Sequence, residues 1–60
     1  MSSAIDAAKD CYGRILKEKG FDFTLALMIV LEWSESEIKQ VLGVTEYKKM
    51  TKDEAREIVK

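Results

Sequence analysis

The chain has 60 residues, of which 47% are hydrophobic and 35% are charged, and its formal net charge at pH 7 is −1. This length allows one domain, and this balance is that of a folded globular chain rather than a disordered one. The near-neutral charge provides no overall field that would attract nucleic acid or anionic lipid. We therefore treat residues 1–60 as a single domain.

The first third of the chain predicts an amphipathic helix over about residues 4–19. Its apolar residues recur at spacings of three and four, which is the pattern of one buried helix face. They are Ile5, Ala8, Tyr12, Ile15 and Leu16. Ser2 or Ser3 is a suitable N-cap for this helix. Gly20 suits a left-handed position just after it, with Phe21 folded back on Leu16 in a Schellman-type end.

The next segment, FTLALMIVLEW at residues 23–33, has only Thr24 and Glu32 as polar residues. Its content of Leu, Ala and Met predicts a helix over about residues 23–32, capped by Asp22. A strand would need a partner strand from a second copy, because the chain holds no other β-rich run. The segment is about half the length that crosses a membrane, so it predicts no transmembrane helix.

Two further short helices are predicted by a repeated N-terminal motif. A hydroxyl residue is followed three positions later by Glu in SESE at residues 34–37 and in TKDE at residues 51–54. This spacing forms a capping box, in which the two side chains bond free backbone N–H groups of the first turn. The predicted helices cover about residues 35–42, ending at Gly43, and about residues 52–59. The connecting stretch VTEYKKM has room for one more helical turn.

The four segments together predict an all-α fold, a small bundle of three to four short helices with the apolar helix 2 at its centre. A helix projects one side chain every ~100°, so the apolar residues of helix 2 point in all directions and need enclosure. The other helices are short and amphipathic. They enclose helix 2 within a monomer, or a second copy completes the bundle as a homodimer, or a groove on helix 2 stays open for a different protein.

A small non-enzymatic regulatory or adaptor protein is the function that this pattern indicates, acting by protein–protein contact through helix 2 and self-associating. The expected interface residues are Leu27, Met28, Ile29, Leu31 and Trp33. Met adapts to irregular surfaces, and Trp is enriched where interfaces carry most of their energy. For Trp33, a hydrophobic staple to Ile38 is an equally good explanation.

The alternative function is a helix-turn-helix-like DNA-binding regulator that uses residues 38–56. The stretch IKQVLGVTEYKKM offers a helix, a glycine turn and a following segment. Lys39 and Lys49, however, stand where that motif has a small residue and an aliphatic anchor. The possible nucleic-acid contacts are Lys48, Lys49, Lys52 and Arg56. A basic stripe on one face requires residues 48–60 to form one continuous helix.

The chain has few residues that are suited to catalysis or to metal binding. The chain has no histidine, no glycine-rich phosphate loop and no ligand cluster with zinc spacing. We therefore predict no enzyme activity, cofactor or metal. The single cysteine, Cys11, cannot form an internal disulfide, and we expect it at the edge of the core rather than in a redox role. Together with an N-terminus that lacks signal-peptide features, this predicts a cytoplasmic location.

Overall fold

The computed structural model describes the backbone from residue 3 to residue 60 and the side chains from residue 4, and this part of the chain is mostly helical. The helices are α1 (Ser3–Lys19), α2 (Phe21–Val30), α3 (Glu35–Leu42) and α4 (Lys52–Val59). The described residues contain no strand, so the strand alternative for the apolar segment is wrong. The prediction of a small all-α bundle is confirmed. The predicted N-cap of α1, Ser2 or Ser3, falls on side chains outside the described part.

Gly20 joins α1 directly to α2 in a conformation that is open essentially to glycine alone, with φ +93° and ψ 171°. Its N–H donates to the Leu16 carbonyl at 3.0 Å, and its own carbonyl accepts the Thr24 hydroxyl at 2.9 Å. Gly20 thus serves as the N-cap residue, and α2 begins at Phe21. The predicted Asp22 cap and the predicted Schellman end of α1 are both wrong, because the backbone turns at Gly20 through an extended ψ value. Asp22 instead lies in the first turn.

Both predicted capping boxes are present, and they fix the starts of α3 and α4. Ser34 Oγ accepts from the Glu37 N–H at 3.2 Å, and the Glu37 carboxylate accepts from the Ser34 N–H at 3.1 Å. The corresponding distances for Thr51 and Glu54 are 3.1 and 2.9 Å. Gly43 closes α3 in the left-handed conformation, with φ 69° and ψ 35°. The predicted bounds of these two helices are confirmed.

α2 ends in a Schellman motif whose left-handed residue is Glu32, with φ +65°, rather than glycine. The Glu32 N–H donates to the Ile29 carbonyl at 3.0 Å, and the Trp33 N–H donates to the Met28 carbonyl at 3.1 Å. These two bonds are the pattern of the motif, which commonly includes an apolar contact between the residues of the second bond. Met28 belongs to the core and Trp33 packs against it. The helix end therefore turns the chain back toward the core.

α2 is the central helix, as predicted. It packs against both α1 and α4, and α1 also packs against α3. Four of its ten residues are buried: Thr24, Leu25, Ala26 and Met28. The main core cluster consists of Ala8, Tyr12, Leu25, Met28 and Ile38. Because α1, α2 and α3 all contribute to this cluster, they form one continuous core.

α4 covers a different part of α2 and runs back along it. Lys52, the first residue of α4, pairs with Glu32, which follows the end of α2. Since the two helices pack along much of their length, the last turn of α4 lies toward the start of α2. Ala26 and Ala55 are fully buried outside the main cluster. Ala26 belongs to α2 and Ala55 to α4, the two helices that pack together.

The linker between α3 and α4 contains no helical turn at residues 44–50, contrary to expectation. Tyr47 and Met50 pack against the core, and Lys49 pairs with Glu35 of α3 at 2.7 Å. The Lys49 ammonium also lies 5.3 Å from the centre of the Tyr47 ring. An extended chain advances about twice as far per residue as a helix, which suits a linker that connects α3 on α1 with α4 on α2.

Candidate protein interface

The predicted interface residues of α2 differ widely in exposure. Met28 is fully buried within the chain's own core, so a contact between Met28 and a partner does not fit the fold. Leu27 and Ile29 are half-buried and pack against the core cluster. Leu31 is 55% exposed and is the most exposed large hydrophobic side chain of the described residues. Leu31 is therefore the predicted residue that a partner can reach most readily.

Trp33 has an internal role that accounts for its position. Its Nε1–H donates to the Tyr12 hydroxyl at 3.2 Å, and the two rings meet edge to face with centroids 5.8 Å apart. Such aromatic pairs stabilise a fold beyond the area that they bury. Trp33 also packs against the core cluster, to which Ile38 belongs. Trp33 therefore connects the turn between α2 and α3 with Tyr12 of α1. The Trp33 side chain is half-buried.

Leu31 continues an apolar line along one side of α2. Phe23, Leu27 and Leu31 are spaced four residues apart, and residues at this spacing lie on the same side of a helix. The first two are half-buried and the third is exposed. We call these three residues the α2 strip. The ion pair between Glu32 and Lys52 lies next to its exposed end, so both signs of charge border it.

Two other exposed hydrophobic side chains were not among the predicted residues. Phe21 is 36% exposed and Ile58 is 41% exposed. Because α4 runs back along α2, both lie toward the end of the molecule opposite Leu31. A sequence signal existed for each: Phe21 follows the glycine that starts α2, and Ile58 is at the edge of the apolar stripe of α4, three residues after Ala55.

The candidate nucleic-acid contacts do not share one helix face. Lys48 and Lys49 lie in the linker, whereas Lys52 and Arg56 lie on α4. The continuous helix over residues 48–60 that a basic stripe requires is absent, since α4 begins after the Thr51 cap. The separation of α3 from α4 is also longer than the three- to four-residue turn of a helix-turn-helix.

Most of these basic side chains have an acidic neighbour. The pairs are Lys49–Glu35 at 2.7 Å, Lys52–Glu32, and Arg56–Asp53 at 3.8 Å. Each pair offsets positive charge that a phosphate backbone would otherwise meet. The geometry therefore supports DNA binding less well than protein contact.

The ion pairs also shift the pKa values of their carboxylates. The hydrogen bond from Lys52 lowers the pKa of Glu32. Hydrogen bonds from Lys49 and then from Lys39 lower the pKa of Glu35. The hydrogen bond to Glu35 raises the pKa of Lys49. All of these groups are near the surface, and their pairs connect the linker with α3 and the end of α2 with the start of α4.

Cys11 is exposed, and the expectation that it borders the core is wrong. The core side of α1 is marked by Tyr12, and the side chain of the preceding residue points about 100° away from it. Within residues 4–60, no group of His, Cys, Asp or Glu side chains is arranged to hold a metal ion. No helix of the described chain combines the length and apolar character needed to cross a membrane.

Neither a family model nor a curated protein nor a solved structure matches this chain. The fold defines its class: a small all-α domain with α2 enclosed between α1 and α4.

Proposed function

We propose that this protein is a small non-enzymatic regulatory or adaptor domain that acts by protein–protein contact and self-associates through the α2 strip. The observation that supports this best is the 55% exposure of Leu31, in line with Leu27 on one side of α2. Fully burying a leucine side chain stabilises by about 1.5–3 kcal/mol relative to leaving it exposed. A partner that covers Leu31 gains part of that free energy.

A second copy of the chain is a suitable partner for this strip. The net charge of −1 produces little repulsion between copies. Glu32 and Lys52 border the strip with opposite charges. In a two-fold dimer each of these groups can face its opposite on the other copy, because the same surface meets itself. We place this function in the cytosol, since one exposed thiol without a disulfide partner suits a reducing compartment.

Mass in solution is the test, measured by light scattering after size exclusion over a concentration series at low and high salt. We expect the wild-type chain to approach twice its 6.9 kDa mass, with little dependence on salt because the contact is apolar. Leu31→Glu should remain monomeric at concentrations where the wild type is dimeric. Ile58→Glu is the matched control, since it makes the same kind of change at an exposed hydrophobic residue at the other end of the molecule.

Circular dichroism of both variants verifies that they fold, which their exposed positions lead us to expect. A wild-type chain that stays at 6.9 kDa up to millimolar concentration would overturn self-association. Dissociation by Ile58→Glu but not by Leu31→Glu would show that association uses a different face, and the proposal for the α2 strip would then be wrong.

A further inference from the structure

Gly13 lies in the interior of α1, where glycine is less favourable than almost any other residue. Its backbone is ordinary helix, since the glycines with positive φ in the described chain are Gly20 and Gly43. Apart from its two chain neighbours and the nearby backbone of α1 itself, a Cβ atom at residue 13 would have no atom of the fold within 4 Å. Neither the conformation nor the internal packing of this chain therefore requires glycine at this position.

An open surface depression of about 380 Å³ lies over this glycine, and all of its lining residues belong to one exposed side of α1. Its lining residues are Lys9, Asp10, Gly13, Arg14 and Lys17. Arg14 pairs with Asp10 at 3.6 Å, whereas no ion pair to Lys9 or Lys17 occurs within the described residues. Three positive groups against one negative group give the lining a positive charge. We call this depression the Gly13 groove.

We propose that the Gly13 groove binds an acidic segment of another protein, with carboxylates on Lys9 and Lys17 and with the segment's backbone close to Gly13. The absence of a side chain at residue 13 leaves the backbone of α1 open to close approach, which is a common use of glycine. The free lysines on either side of this opening supply the charge complementarity. This inference does not depend on self-association, because the groove and the α2 strip share no residue.

The spacing of the two lysines suits a ligand that carries several acidic groups. Lys9 and Lys17 are eight residues apart, which is about 12 Å along the helix. An extended peptide covers that distance with about four residues, so two of its acidic side chains can reach the two lysines.

The test is a titration of the full ¹⁵N-labelled chain with a ten-residue polyglutamate peptide, followed by NMR. We expect saturable shifts of the backbone amides between residues 9 and 17, and weaker binding as salt increases. Lys9→Gln and Lys17→Gln should each weaken binding roughly two- to five-fold, as for exposed ion pairs. Lys19→Gln is the matched control at the end of the same helix, outside the groove, and should leave the affinity unchanged.

Gly13→Ala separates binding from folding. Because the added Cβ meets no atom of the fold beyond its own stretch of α1, we expect this variant to have a higher melting temperature than the wild type. Its affinity for the peptide should nevertheless fall about ten-fold or more, because the methyl group obstructs close approach. A variant that is more stable and binds less well cannot owe its loss of binding to unfolding.

Three results would overturn the proposal. The first is the absence of saturable shifts at Lys9 and Lys17, and the second is wild-type affinity in the Gly13→Ala variant. The third is tighter binding of a ten-nucleotide single-stranded DNA, or of inorganic phosphate, at the same amides, which would identify a general anion site instead of a peptide groove.

Discussion

At the residue scale, Glu32 occupies a backbone conformation that helix ends of this kind usually give to glycine. A left-handed φ of +65° brings the Cβ of an ordinary residue too close to the following carbonyl oxygen. The Glu32 carboxylate pairs with Lys52, which ties the end of α2 to the start of α4. The side chains are exposed at 69% and 40%, so this pair contributes little to stability. The left-handed backbone strain at Glu32 therefore changes the stability of the fold more than the ion pair with Lys52 does.

Replacing Glu32 by Gly and by Ala separates these two effects. Both variants lose the ion pair, but only glycine relieves the left-handed strain. We expect the melting temperature of Glu32→Gly to exceed that of Glu32→Ala by roughly 4–8 °C. Thermal denaturation at neutral pH and low salt measures the difference. Equal melting temperatures would mean that residue 32 is not held in the left-handed conformation in solution.

At the element scale, α2 and α4 pack together and each contributes a fully buried alanine. Ala26 and Ala55 are fully buried but lie outside the main core cluster. A fully buried position in a close-packed interior has no room for a larger side chain. α4 is only eight residues long, so the contact with α2 accounts for most of what holds it on the bundle.

Ala55→Leu tests this packing. Adding three carbons at a fully buried position should destabilise the fold by about 1–3 kcal/mol, because the helices must separate or side chains must strain. Ala7→Leu makes the same change at an exposed position of α1 and should stay within about 0.5 kcal/mol of the wild type. Urea denaturation measures both. If Ala55→Leu were as stable as Ala7→Leu, α4 would not pack on α2 as the structure shows.

The helix boundaries that the sequence predicted well are those set by local bonds. The capping boxes of α3 and α4 join residues three apart, so their chemistry is visible in a short window of sequence. The start of α2 was missed because the conformation of Gly20 depends on how α1 and α2 pack, which no local pattern expresses. The linker was missed for a similar reason, since Tyr47 is held by the core and not by its neighbours in sequence.

At the scale of the whole molecule, the position of α2 was predictable but its free side was not. A helix that is apolar on every side must be central, and the structure confirms this. Because α2 is apolar on every side, its sequence does not indicate which side faces α1, which faces α4 and which stays exposed. The burial of Met28 and the exposure of Leu31 follow from the placement of α1 and α4. The Gly13 groove was likewise invisible until the surroundings of that glycine were known.

Charge pairs link the elements of the molecule, and they predict how its stability depends on pH. The pKa values of Glu32, Glu35 and Glu54 are lowered in the folded chain, by bonds from Lys52, from Lys49 and from the Thr51 backbone respectively. A carboxylate with a lowered pKa stabilises the fold fully above its unfolded pKa, near 4.5, and loses that contribution as the pH falls through its folded pKa. No histidine is present to add a step near pH 6.5.

We therefore expect the melting temperature to be nearly constant between about pH 5 and pH 8 and to fall below about pH 4.5. Thermal denaturation over this range measures the profile. Glu35→Gln should lower the melting temperature at pH 7 and make the acid side less steep, because the variant has lost a carboxylate that binds a proton more readily in the unfolded chain than in the folded one. Glu46→Gln is the matched control at an exposed linker position and should keep the wild-type profile. A fall that begins near pH 6.5, or a Glu35→Gln profile as steep as the wild type, would show that these pairs do not form in solution.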